Sequence, residues 1–248
     1  MLPAALYRLT REPVPGGSDP NPVVISRTVS VTTSRQISAP FLCSECEKRF
    51  SENGERYVLA HCARPGQGFR LRGMLEVALP FLRERGILVY DADAVLKVDA
   101  IEKYIYFATS VFWRASARRW TNEHGERIAD ISLGNDYDEQ FRQYLLGERE
   151  FPSNARIVVH VSSDDVAGPM VVFPCVGPVV DGKRRFKFYI PGILFVLFLD
   201  VPTTDDAGAL NGKGRRLIWL CPWRNDSLFE GFVRMIRGSR PAGRLERQ

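Results

Sequence analysis

The sequence predicts an α+β protein in three stretches. They are a small zinc-knuckle-like module over residues 1–68, a helical region over 69–150, and an antiparallel β-sheet region with a C-terminal helix over 151–248. Three observations predict it. A Cys-Ser-Glu-Cys tetrapeptide stands at 43–46. Apolar residues recur at helical spacing through the middle of the chain. After residue 150 the period shortens, and five β-branched and aromatic runs follow. Aromatic side chains on the middle helices suit that sheet as a packing partner, which makes one compact unit of the last two stretches.

Residues 1–10 open inside an amphipathic segment, and six Pro and Gly residues between Pro13 and Pro22 make a loop. The alternation in VVISRTVSVTT predicts one strand over 23–33. A turn then leads into a short helix through Cys43 and Cys46. Asn53-Gly54 breaks it from a second short helix ending at His61 and Cys62. Leu71, Met74, Leu75, Ala78, Phe81 and Leu82 predict a helix over 70–86 that Pro80 bends or splits. ILVY at 87–90 suits a short strand.

The clearest helix is 99–119, with Ile101, Tyr104, Ile105, Ala108, Val111, Phe112 and Ala115 on one face. Asp99 and Glu102 have capping-box spacing, and Arg114, Arg118 and Arg119 make a basic exit. A second helix over 136–148 stops at Gly147. The strands follow within 155–163, 169–180, 184–190, 193–201 and 216–223. Asp181-Gly182 predicts a tight hairpin between the second and third. ILFVLFL is apolar on both faces and predicts a central strand. Leu228, Phe229, Phe232, Val233 and Ile236 give a last helix over 227–237.

Composition narrows the class. The 248 residues are 45% hydrophobic and 25% charged, which excludes a disordered chain. No apolar run reaches the roughly 18 residues of a membrane helix, so no membrane partner is expected. The net charge of +5 permits an acidic partner such as nucleic acid. Arginines outnumber lysines 28 to 6, and the densest basic run is Arg234, Arg237, Arg240, Arg244 and Arg247. It reads either as a solvated tail or as a set of phosphate contacts. Five cysteines at irregular spacing do not form a secreted disulfide framework, and no signal peptide is visible, so a reducing cytoplasm is the expected location.

In that compartment Cys43 and Cys46 read as metal ligands. Two thiolates two residues apart reach one tetrahedral zinc from a tight turn. His61 and Cys62 are alternatives for a third ligand, since adjacent side chains diverge, and no fourth is apparent. The competing reading is two free thiols in a turn. His124 and His160 read as structural residues in a turn and a strand. Asp164-Asp165 with Asp181-Gly182-Lys183 imitates a nuclease carboxylate pattern, but turn chemistry explains the Asp-Gly pair. Asp205-Asp206 lies in a Gly-rich loop without a phosphate-cradle pattern.

PFLCSECEKRFSENGE, YFATSVFWRASARRW and YLLGEREFP together resemble an uncharacterised group of bacterial proteins whose N-termini look like HNH-type, treble-clef zinc modules. The resemblance covers roughly residues 1–160. It implies a nucleic-acid-associated protein with a structural zinc held partly by Cys43 and Cys46, and in complete members a metal-dependent phosphodiesterase. Leu2-Pro3-Ala4-Ala5-Leu6-Tyr7-Arg8 matches the end of a family phrase whose CxxC and Ser-His fall before Met1. An HNH nuclease needs that His to activate water, so this chain is expected to be catalytically incomplete. Either the true start lies about 20–40 residues upstream, or this is a truncated homologue. The alternative function is a non-catalytic interaction protein without metal.

Overall fold

A computed structural model describes residues 2–11, 21–25, 29–33, 39–64, 66–97, 99–121, 125, 127–129, 131–164, 170–179, 183–202 and 216–242. The class is α+β. Its centre is a seven-stranded sheet with helices on both faces. Among the described residues no helix is long and apolar enough to cross a membrane.

The first part of the chain combines short helices with a strand pair. α1 (Ala4–Leu9) puts Leu6 and Leu9 into the main core, beside Leu2. β1 (Val23–Ile25) and β2 (Val29–Thr32) are an antiparallel pair, Ile25 opposite Ser30, where one strand was expected. α2 (Ser44–Phe50) does not break at Asn53-Gly54. It continues through a π-helical turn (Ser51–Glu55) into α3 (Arg56–Leu59). Gly54 is buried there, because a Cβ would lie 2.9 Å from the Phe107 backbone nitrogen. The glycine serves close helix contact rather than a turn.

The expected helix over 70–86 forms only as α4 (Arg70–Glu76). Beyond it the chain becomes β3 (Leu82–Glu84) and β4 (Ile87–Asp91), followed by the one-turn α5 (Ala92–Val95). Pro80 cannot supply a helical N–H, and hydrogen bonding passes to strand pairing, with the Phe81 N–H on the Val89 carbonyl at 2.7 Å. α6 (Ala100–Ala117) is the central helix. Asp99 precedes it in a left-handed conformation, φ 63°, and makes no side-chain cap, so the capping box does not form. Arg114 stands in the last turn as expected, but not on a solvated face. It is buried and bonds Glu55 of the π turn at 2.9 Å. β5 (Trp120–Thr121) and β6 (Arg127–Ala129) make a small ribbon, and α7 (Asn135–Leu146) ends at left-handed Gly147 as predicted.

The remaining strands are β7 (Arg156–Ser162), β8 (Val172–Val176), β9 (Arg185–Ile190), β10 (Ile193–Phe198) and β11 (Leu217–Cys221). The sheet order is β3-β4-β11-β7-β10-β9-β8. It is mixed rather than purely antiparallel, because β11 lies parallel to β7, with Trp219 opposite His160. β10 is interior, between β7 and β9, as its two-faced apolarity predicted. Pro191-Gly192 turns β9 into β10. Gly192 has φ +84°, and its missing Cβ would sit 2.5 Å from the Phe69 ring.

Phe188 and Phe195 stack at 4.8 Å on one face of the sheet and pack against Phe107 and Phe112 of α6. On the other face Tyr189, Leu194 and Val196 meet Trp223, Leu228 and Phe229. The last two belong to α8 (Ser227–Gly238). β12 (Arg240–Ala242) then pairs in parallel with β2, joining the two ends of the described chain.

Candidate functional site

Cys43 precedes α2 in extended conformation, and its Sγ accepts the Cys46 N–H at 3.4 Å. Cys43 is exposed and Cys46 half-buried. The backbone N–H of Cys46 draws the Cys43 thiol below its ordinary pKa, as expected at a helix start. Its hydrogen bond with Cys43 raises that of Cys46. His61 and Cys62 follow α3 and turn into the core instead. The His61 Nδ1 lies 2.9 Å from the Tyr104 hydroxyl, and the two rings stack at 9°. Desolvation, reinforced by Arg70, lowers the His61 pKa. Cys62 is buried, bonds the Val58 carbonyl at 3.8 Å, and is pushed up to about 12 by burial. The exposed pair offers two ligands, while the His61 and Cys62 donors are engaged in packing. Among the described residues no group of three His, Cys, Asp or Glu converges as a metal site.

The arginine run divides. Arg234 and Arg237 are exposed on α8, and Arg240 is exposed on β12 rather than in a free tail. Arg244, Arg247, His124, Asp165, Asp181-Gly182 and Asp205-Asp206 lie outside the described residues. Asp164 is engaged by Arg224 at 3.1 Å.

A site that the residue pattern did not announce lies on the α8 face of the sheet. A cavity of about 170 Å³ is lined by Arg85, His160, Tyr189, Trp219, Cys221 and Trp223, among others. Strand register assembles it. His160 pairs with Trp219 and Ser162 with Cys221 across the parallel β7–β11 ladder, while Leu194 faces His160 from β10. The His160 and Trp219 rings stack at 5.0 Å and 7°. Below them Lys187, nearly fully buried, bonds both carboxylate oxygens of Asp226 at 2.6 and 2.7 Å. Asp226 also caps α8 by accepting the Leu228 N–H.

The chemistry this cavity allows is limited. The His160 Nδ1 lies 3.9 Å from the Cys221 Sγ. Desolvation pushes His160 down to about 4 and Cys221 up to about 12. Both are therefore neutral near pH 7, and the thiolate–imidazolium pair that a cysteine nucleophile uses is not formed. The Ser162 hydroxyl is engaged by Asp164 at 2.9 Å, so it too is not poised as a nucleophile. Two donors remain. The indole N–H groups of Trp219 and Trp223 are buried and have no partner among the described residues. The sequence signal was weak but present: His160 and Ser162 alternate as polar residues in an apolar strand, and Lys187 interrupts RFKFYI. No known protein family, curated protein or solved structure matches this chain.

Proposed function

We propose that this chain is a nucleic-acid-associated binding protein without a catalytic step among its described residues. The observation that carries the reading is the row of exposed arginines, Arg234 and Arg237 one turn apart on α8 and Arg240 immediately after it. Within α8 only Glu230 opposes them. Guanidinium groups so spaced suit successive phosphates. The net charge of +5 and the resemblance of residues 1–160 to HNH-type modules point to the same partner. The non-catalytic half of the reading is supported by engaged side chains. His61 bonds Tyr104, His160 is neutral against Cys221, and Asp164 bonds Arg224.

Fluorescence anisotropy with labelled duplex and single-stranded oligonucleotides tests this between about 50 and about 200 mM salt. Affinity should fall steeply with salt. Replacing Arg234, Arg237 and Arg240 by Ala should lower the log–log salt slope by about one per arginine. No cleavage should appear with Mg²⁺ or Mn²⁺. Binding that is absent or independent of salt overturns the association, and cleavage overturns the non-catalytic half.

A further inference from the structure

Of the five cysteines, the fold leaves one pair open to reaction. Cys62 is buried, and its S–H is spent on the Val58 carbonyl. Cys175 on β8 and Cys221 on β11 are half-covered, and burial pushes their thiols up to about 11 and about 12. Thiols held there give almost no thiolate near neutral pH, and the thiolate is the reactive form. Cys43 is exposed and Cys46 half-buried beside it.

The backbone brings these two sulfurs together. The Glu47 N–H bonds the Cys43 carbonyl at 3.0 Å and closes one helical turn around the pair. Cα atoms three residues apart on such a turn are separated by about 5 Å. That lies inside the roughly 4.4–6.8 Å that a disulfide spans. The Cys43 Sγ already accepts the Cys46 N–H at 3.4 Å, and the two side chains share a hydrogen bond. The approach to the turn is fixed from outside it. Phe41 packs on Trp113 at 5.4 Å and on Trp120 at 5.9 Å, and Arg118 donates to the Pro40 carbonyl at 2.7 Å. Ser44, Glu45, Glu47 and Lys48 are exposed around the pair, so a small reactant reaches Cys43 without a groove to receive it.

We propose that Cys43 and Cys46 form a reversible dithiol–disulfide site whose co-reactant is a small organic disulfide. The Cys43 thiolate attacks one sulfur of R–S–S–R. A Cys43–S–S–R bond forms, the original S–S bond breaks, and R–S⁻ leaves with the electron pair. Cys46 then gives its proton to water, attacks the Cys43 sulfur and expels the second R–S⁻. The chain loses two hydrogens, and the small disulfide is reduced to two thiols. The chain itself ends oxidised, so the step is a modification and not a turnover. It does not rest on the nucleic-acid reading above.

The reduced full chain, equilibrated with glutathione and glutathione disulfide over a range of ratios and then blocked with iodoacetamide, tests the site by intact and peptide mass. Wild type should convert to a form lacking two hydrogens, with the bond mapped between Cys43 and Cys46, and dithiothreitol should restore it. Cys46→Ser should stop at the glutathione adduct on Cys43. Cys43→Ser keeps a capping oxygen and should react about ten-fold more slowly, through Cys46 alone. The wild-type mapping needs no variant, so a variant that fails to fold does not rescue the proposal. A wild-type chain that stays reduced, or that stops at the glutathione adduct, overturns it. So does a disulfide that maps to Cys62, Cys175 or Cys221, or zinc carried by the purified chain that shields both thiols from iodoacetamide. Equal rates in the two single variants would overturn Cys43 as the attacking thiol.

Discussion

His160 is held as a neutral imidazole because its ring lies flat on Trp219 and against an uncharged thiol. That environment has a consequence for stability. Its folded pKa, about 4, lies below the ordinary 6.5, with desolvation as the main cause; Asp226 opposes the shift, and Lys187 and Arg185 add to it. Between those two values the unfolded chain binds a proton that the folded chain refuses, so acid favours unfolding there. The stability is present above pH 6.5 and lost as pH falls towards 4. Because the ring is half-buried and keeps part of its hydration, the loss should be about 2 kcal/mol rather than the full linkage value. Urea denaturation of wild type and His160→Phe at pH 7 and pH 4.5 measures it. The variant should lose less stability on acidification, retaining the same-sign contributions of His61 and Asp200, which Glu102 and Asp138, raised by burial, oppose. Equal losses in both proteins would remove the argument. At this scale the sequence exposes residue types but not their orientation. Cys43, Cys46, His61 and Cys62 carry metal-ligand spacing, yet the partner that engages His61 is Tyr104, forty-three residues away. Nothing in a local window reports that.

Elements were legible in proportion to their own periodicity. α6, α7 and α8 lie within two residues of expectation at each end, because each carries an apolar stripe over three or more turns. The segment after Glu76 was misread because its apolar spacing suits either a helix or a short strand pair, and only pairing with β11 decides between them. α8 shows what periodicity leaves out. None of its residues is fully buried, and only Leu228 and Phe229 join the packed cluster. Its attachment to the sheet therefore leans on the ion pair at its start. The two ends of that pair differ: Lys187 has 4% of its side chain exposed and Asp226 18%. Asp226→Ala leaves the more deeply buried charge alone and removes the Leu228 cap, so it should cost about 3–5 kcal/mol. Lys187→Met leaves a carboxylate that still caps the helix and can reach water, and should cost less. Thermal unfolding ranks the two, and hydrogen exchange should show α8 amides opening first in Asp226→Ala. A larger loss in Lys187→Met would mean that the pair is not what fastens the helix.

Across the whole molecule, the strands were readable and their order was not. β-branched and aromatic runs mark β7, β9, β10 and β11, but the sheet is completed by β3 and β4 from the region expected to be helical, and β11 reaches β4 across more than a hundred residues. Such distant pairing leaves no trace in composition or spacing. It does make the parts interdependent. Phe186, Phe188 and Phe195 are buried in a core shared with α6, and burying each contributes about 2–3 kcal/mol. Without residues 1–150 those rings face water, β11 loses β4, and β12 loses β2. A marginal balance of a few kcal/mol does not survive such losses. The intact chain should therefore unfold in one transition, with far-UV and near-UV circular dichroism changing together. A fragment of residues 151–248 should give no native near-UV signal on its own. Two separated transitions in the intact chain, or a fragment that folds, would show that the sheet is stable without the helices and hairpin donated by the first half.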